Sequence, residues 1–182
     1  MPVNVLSVRE LQKDDIEYIV QYWTESDSAF LIGMGVDLAK LPLSSDMREM
    51  LTQQLAVPLL EKQSYCIIWE VDQKPVGHCN INKISFGEEA SMHLHLWDAS
   101  TRKKGTGTAL VKLALPYFFK KFKLKRLICE PNAFNPAPNK TLEKAGFSFS
   151  KTYVTIPGSI TSEQQVNRWE MSFEDFQKLD KS

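Results

Sequence analysis

Between residues 94 and 110 the chain reads Leu-His-Leu-Trp-Asp-Ala-Ser-Thr-Arg-Lys-Lys-Gly-Thr-Gly-Thr-Ala-Leu, and no other stretch constrains the fold as much. A strand-like alternation ends, three consecutive cations follow, and two glycines open an amphipathic helix. Glycine takes positive φ at little cost and lets a ligand approach the backbone closely. The first N–H groups of a helix have no partner within it and carry the positive end of its dipole. A basic, glycine-bearing turn that feeds a helix is therefore an anion site, and a pyrophosphate suits it. The same unit demands strand, turn and helix in succession, which places the chain among α/β folds.

The flanking pattern extends this reading. A strand is predicted over residues 3–8, then a helix after Asp14 and Asp15 with Ile16, Ile19, Val20 and Trp23 on one face. Residues 27–43 have no clean period and read as a loop with a helical turn. A second helix follows, with Asp46 and Glu49 at capping-box spacing and Met47, Met50, Leu51 and Leu55 inward, ended or kinked by Pro58. Strands are predicted over 64–70, 76–84 and 90–98, a helix over 105–121 bent at Pro116, and a strand over 126–130. A short helix over 136–145 stops at Gly146, and strands over 147–156 and 165–171 precede a last helix capped by Ser172. With no linker or repeat, residues 1–182 read as a single mixed α/β domain.

Lys+Arg and Asp+Glu are equal at 22 each, whereas a general nucleic-acid binder needs an excess of positive charge to displace counterions. No apolar run is long enough to span a bilayer, and the N-terminus has no leader pattern. Cys66, Cys79 and Cys129 lie in apolar stretches at no metal-binding spacing, as reduced, buried thiols of a cytoplasmic protein would. No metal site is expected, and neither a membrane nor nucleic acid is an expected partner.

Spacing separates the candidate anion motifs. No glycine precedes a Lys-Ser or Lys-Thr pair, so there is no P-loop, and Leu110 stands where a dinucleotide fingerprint needs its third glycine. The pattern Arg102-x-x-Gly105-x-Gly107 instead resembles the signature of the GNAT acetyltransferases. A second segment, Asn135 followed by Glu143-Lys144-Ala145-Gly146-Phe147, resembles that family's ending after the fifth strand. The closest likeness is to the ribosomal-protein N-terminal and aminoglycoside acetyltransferase-like branch.

The resemblance implies a mostly antiparallel sheet whose two central parallel strands splay apart, flanked by helices. It implies acetyl-CoA as co-substrate, with its pyrophosphate held by the turn of Arg102, Lys103, Lys104, Gly105, Thr106, Gly107 and Thr108. It also implies backbone pairing of the pantetheine arm near Leu96 and Trp97, where Trp97 and Ala99 replace the usual Val and Pro. Asn135 either caps its helix or contacts that arm. The implied reaction is direct attack of a neutral amine on the thioester, and the acceptor is a small molecule or a protein N-terminus. A homodimer is the expected assembly. The rival reading is a non-catalytic acyl-CoA-binding domain of the same fold.

His93 and His95 share one face of their strand, opposite Met92, Leu94 and Leu96. Either is a candidate base for the acceptor ammonium, because imidazole titrates near neutrality. The alternative is that they pair across the sheet or line the cleft without transferring protons. His78, on the neighbouring strand, reads as structural. The basic run Lys120, Lys121, Lys123, Lys125 and Arg126 either reaches the 3′-phosphate of the coenzyme or is a solvated helix end. Trp23, Phe30, Leu31, Met34 and Tyr153 line the acceptor pocket or pack the core. Leu142 stands where many relatives carry a tyrosine that protonates the leaving thiolate, so no acid is expected on that helix.

Overall fold

The computed structural model describes residues 4–97, 99–101 and 105–181. Seven strands form one sheet: β1 (Leu6–Glu10), β2 (Ser64–Val71), β3 (Lys74–Ser85), β4 (Glu89–Leu96), β5 (Arg126–Cys129), β6 (Ser148–Thr155) and β7 (Gln164–Ser172). Their spatial order is β1-β2-β3-β4-β5-β7-β6. Every neighbouring pair is antiparallel except β4 and β5. The helices are α1 (Ile16–Glu25), α2 (Ser28–Gly33), α3 (Ser44–Ala56), α4 (Thr106–Phe122), α5 (Pro136–Ala145) and α6 (Phe173–Asp180). This is the α/β fold class read from the sequence.

Strand alternation sorts the side chains onto two faces. On one, Ile67, Cys79, Ile81, Met92, Leu127 and Met171 pack with α4, α5 and α6 in the main core. On the other, Cys66 and Ile68 pack with Ile19 of α1, and α3 leans on α1 through Met47. His78, His93 and His95 belong to this second face, as the strand period requires.

Three differences from the sequence reading have local causes. β1 is shifted toward Glu10, because its pairing runs from Leu6↔Val71 to Glu10↔Ile67. Residues 27–43 hold more structure than one helical turn. Asp27 accepts from the Phe30 amide (3.2 Å) to start α2, and Asp37 accepts from the Ala39 amide (3.1 Å) to start a 3₁₀ turn. Both pieces are too short to show a period. Helix α3 starts at Ser44 with Leu43 as its cap and without the expected capping box. Glu49 bonds Gln53 instead (3.0 Å), and Met50 stays 51% exposed because α3 meets α1 along a narrow stripe.

One residue ties α5 to the sheet. The Asn139 amide nitrogen donates to the carbonyls of Asn132 (3.0 Å) and Asn135 (2.7 Å). Its Oδ1 accepts from Asn167 Nδ2 (3.0 Å) and from the Trp169 indole (2.9 Å). Four bonds converge on one side chain, and truncation would strand partly buried donors on β7. Asn139→Ala should therefore lower the unfolding free energy by about 2–4 kcal/mol in urea titration. A loss within 0.5 kcal/mol, to order of magnitude, would show that the network is dispensable.

Candidate active site

The sheet opens between β4 and β5. Their parallel register holds for Glu89↔Arg126, Ala90↔Leu127 and Ser91↔Ile128, and then stops. Beyond that point each strand follows its other neighbour. β4 stays paired with β3 through Gly77↔Leu96, and the Trp97 amide donates to the Val76 carbonyl (2.9 Å). The β5 chain stays with β7, where the Asn167 amide donates to the Pro131 carbonyl (3.1 Å) and Asn132 bridges Val166. Pro131 has no N–H to give to any strand. The result is a gap walled by residues 92–96 on one side and 129–131 on the other.

The open edge of β4 follows from ladder geometry. Backbone groups alternate direction along a strand. Since the Trp97 N–H turns toward β3, those of His95 and His93 do likewise, and the groups of Leu94 and Leu96 face the gap. The Trp97 N–H, at a position expected to pair with a ligand, is thus already spent, and the backbone groups directed at the gap are those of Leu94 and Leu96. The Trp97 indole is engaged as well, donating to His78 Nδ1 (2.8 Å), with its ring stacked on Tyr18.

Past the end of β4 the chain reaches the glycine turn. Arg102, Lys103 and Lys104 lie outside the described residues. Gly105 has φ of +92° and is the N-cap of α4, so the left-handed conformation expected of the turn is present. Among the described residues, a Cβ on Gly107 would meet only Thr141 of α5, at 3.7 Å. The first turn, containing Thr106, Gly107 and Thr108, therefore leaves its amides open to a ligand. Asn135 is the N-cap of α5, but its side chain makes no cap bond. The capping alternative is thereby removed.

The three histidines differ in surroundings. His78 is 3% exposed and stacks on His95, with ring centroids 4.7 Å apart. His95 is also held by the Tyr22 hydroxyl (3.2 Å from Nδ1) and the edge of Trp23 (4.9 Å). His93 Nε2 bonds Asn82 Oδ1 (3.1 Å). A carbonyl oxygen only accepts, so the ring proton sits on Nε2 and Nδ1 keeps its lone pair. Burial pushes His78 down to about 3, helped by the charge of His93. Burial, reinforced by Lys83 and opposed by Glu130, pushes His93 down to about 4. Burial and the other two histidines hold His95 well below its ordinary value. Near pH 7 all three are neutral, so the expected titration near neutrality is displaced into the acid range.

Two residues that sequence reasoning passed over complete the far wall. Glu130 directly follows β5, and its side chain is only 14% exposed. Its Oε1 accepts from Arg168 Nη1 (3.0 Å) and from the Tyr153 hydroxyl. Arg168 Nε in turn donates to Glu170 (2.6 Å). Burial and the bond to Glu130 push the Tyr153 hydroxyl up, so it stays a donor. The Glu130-Pro131 pair at a strand end was the available signal, since a carboxylate entering a sheet interior requires a partner.

Other expectations resolve by position. Lys120 pairs with Asp180 (2.8 Å), Lys121 with Glu10, Lys125 with Glu88 (2.7 Å) and Arg126 with Glu89. These cations lie at the C-terminal end of α4, about 25 Å of helix from the glycine turn, and form a solvated helix end. Leu31 is core, at 2% exposure. Phe30 lines an open cleft of about 490 Å³ with Tyr18, Tyr22, Trp97, Glu25 and Asp27. Leu142 is wholly buried, so a tyrosine there would overpack the core instead of reaching the gap. Among the described residues no group of His, Cys, Asp or Glu could hold a metal ion, and no helix is long and apolar enough to cross a membrane.

A sheet parted at its parallel pair, with a glycine turn opening a helix at the mouth of the gap, defines an acyltransferase of the coenzyme A-dependent kind. The family described as acetyltransferase (GNAT) domain matches residues 6–148, and the chain belongs to that family. Solved structures agree in fold. The aminoglycoside acetyltransferase AAC(6')-Ib in complex with coenzyme A is 16% identical, with a TM-score of 0.72 over 97% of this chain and 99% of its own. The spermidine N-acetyltransferase of Vibrio cholerae in complex with CoA and spermine is 16% identical, with a TM-score of 0.76 over 94% and 98%. No curated protein sequence matches the chain.

Burial of neutral histidines sets a pH dependence of stability. Their folded values lie below the ordinary 6.5, so the unfolded chain binds more protons as pH falls below 6.5. The stabilisation is complete above pH 6.5 and is lost on acidification toward 4, at about 1.4 kcal/mol per pH unit for each histidine. Denaturant titrations between pH 7 and 4.5 should show this slope, and His78→Gln should reduce it by one histidine's share. An unchanged slope in His78→Gln would contradict the assignment.

Proposed function

We propose that this enzyme transfers acetyl from acetyl-CoA to a primary amine by direct attack within a ternary complex. The observation that carries the reading is the gap between β4 and β5, with the Leu94 and Leu96 backbone groups along its open edge. An amide-bearing pantetheine arm can add to that edge as a strand would. The amides of Gly105, Thr106, Gly107 and Thr108 and the cations Arg102, Lys103 and Lys104 are assigned to the pyrophosphate. The free side chain of Asn135 is assigned to the arm. That AAC(6')-Ib was crystallised with coenzyme A and kanamycin, and the Vibrio enzyme with CoA and spermine, supports a cationic amine acceptor. So do the aromatic faces and the Glu25 and Asp27 carboxylates of the cleft beside Trp97.

The chemistry asks little of side chains. The acceptor must lose one proton, the nitrogen must lie against the thioester carbon, and the developing oxyanion needs a donor. His93, with its lone pair on Nδ1, is assigned the proton. His95, locked among Tyr22, Trp23 and His78, is assigned the wall. A gap-facing N–H of β4 is the oxyanion donor. No acid is assigned on α5: Asn139 is saturated with hydrogen bonds and Leu142 is buried. We take residues 1–182 as one domain. The three buried free thiols fit a reducing cytoplasm, and exposed Phe149, Val154 and Ile156 at the β6 edge fit a homodimer.

Gly107→Val tests the site with little demand on the fold, because among the described residues the added Cβ meets only Thr141, at ordinary contact distance. Calorimetry should show CoA affinity reduced at least about tenfold, with the melting temperature shifted by only a few degrees. Release of free thiol from acetyl-CoA across a panel of primary amines should be seen with the wild type. Wild-type CoA affinity in Gly107→Val, or no amine-dependent thiol release, would refute the proposal.

A further inference from the structure

The gap divides the sheet into two halves, β1–β4 with α1 and α3 on one side and β5–β7 on the other. On the face that carries the histidines, a second set of bonds rejoins them. Residues 156–163, between β6 and β7, leave one half and fasten to the other. The Asp37 amide donates to the Ile160 carbonyl (2.9 Å), the Ser162 amide donates to the Gly35 carbonyl (3.3 Å), and Val36 bridges Thr161. Lys40 Nζ donates to the Thr161 carbonyl (2.9 Å), and Lys83 Nζ donates to the Pro157 carbonyl (3.3 Å). Thr161 Oγ1 accepts from the Gly158 amide (3.0 Å) and donates to the Gly158 carbonyl (2.8 Å), which keeps the segment folded. It is a strap laid across the gap.

Gln164, the first residue of β7, clasps this strap. Its Nε2 donates to the Gly35 carbonyl (3.1 Å), and its Oε1 accepts from Asn132 Nδ2 (2.8 Å). One side chain thereby joins residue 35 to the far wall of the gap. Position 35 suits the contact. Gly35 has φ of +85°, and a Cβ there would lie 2.1 Å from Gln164 Oε1. Glycine admits both the backbone turn and the amide pressed against it. The same turn adjoins the histidines. Met34 Sδ accepts from the Tyr22 hydroxyl (3.5 Å), which lies 3.2 Å from His95 Nδ1. At the strap's other anchor, the charge of Lys83 acts on His93.

We propose that the Gln164 clasp sets acceptor specificity by holding the strap shut over the gap, so that slender alkylamines reach the thioester and bulky ones do not. The inference rests on the acetyl-transfer reading given above. With the strap closed, the way in is the open cleft of Tyr18, Tyr22, Phe30 and Trp97, which meets His95 through Tyr22. An acceptor entering there threads its reacting end beneath the strap. An unbranched chain does so with the strap in place. A wide group close to the ammonium must part the strap from residues 35–40 and break the bonds that hold it. Discrimination of this kind comes from a clash with the wrong acceptor, not from added contact with the right one. Gln164 acts through the strap and is a positioning residue.

The test uses full-length wild type, Gln164→Ala and Gly35→Ala at saturating acetyl-CoA. The acceptors are n-butylamine and adamantylethylamine, which present the same primary ammonium on the same ethylene stem and differ in bulk. Wild type should prefer n-butylamine by at least about tenfold in kcat/KM. Gln164→Ala should cut that preference at least about fivefold by gaining on the adamantyl amine, with n-butylamine kept within about threefold and CoA affinity within about twofold. Gly35→Ala, which displaces the Gln164 amide from the other side, should shift the preference the same way. A merely structural residue would lower both rates together. Amide exchange supplies a second readout, because the Asp37 and Ser162 amides should be protected in wild type and lose protection in Gln164→Ala. A wild type without the preference, a preference unchanged in both variants, or strap amides still protected in Gln164→Ala would overturn the role of the clasp alone. A wild type that binds CoA yet acetylates no amine would overturn the acetyl-transfer reading and this inference with it.

Discussion

Everything distinctive about this molecule follows from a hydrogen-bond ladder that stops. β4 and β5 pair for three residues and then part, because each is bound more extensively to a different neighbour. The Trp97 amide is fastened to Val76, while Pro131 and Asn132 are fastened to β7. Unpaired backbone groups inside a sheet would each cost about 1–3 kcal/mol if left dry. A gap lined with them is therefore kept only where water or a ligand completes the ladder. A pantetheine arm has the amides to do so.

The electrostatics of the gap are unequal on its two sides. One lip carries neutral histidines, kept neutral by burial and by one another. The other carries a carboxylate braced by Arg168 and Tyr153. A cation entering between them finds charge on one side and a lone pair on the other. Protonated histidines would repel a cation there, so the low values at His93 and His95 keep that lip free of positive charge even as they weaken imidazole as a base.

Much of this was legible in the residues themselves. The glycine turn, the strand order, the Ser172 cap and the Gly146 stop are local signals, and local chemistry settles them. The shared face of His93 and His95 needed only the strand period. Other features depend on distant partners. Glu130 looked like a strand end until β7 placed Arg168 beside it, more than thirty residues away in sequence. Trp97 looked free to pair until β3 claimed its N–H. Asp27 and Asp37 cap helical pieces shorter than two turns, which leave no period to read. Met50 matched an inward stripe that the narrow α1–α3 contact does not cover.

The chemistry of the gap turns on which backbone groups line it. Amide hydrogen exchange with and without CoA addresses this one strand at residue resolution. New protection is expected at Leu94 and Leu96 and in the first turn of α4, with the Trp97 amide already protected and unchanged. Protection appearing at His93 and His95, or none along β4 at saturating CoA, would contradict this assignment.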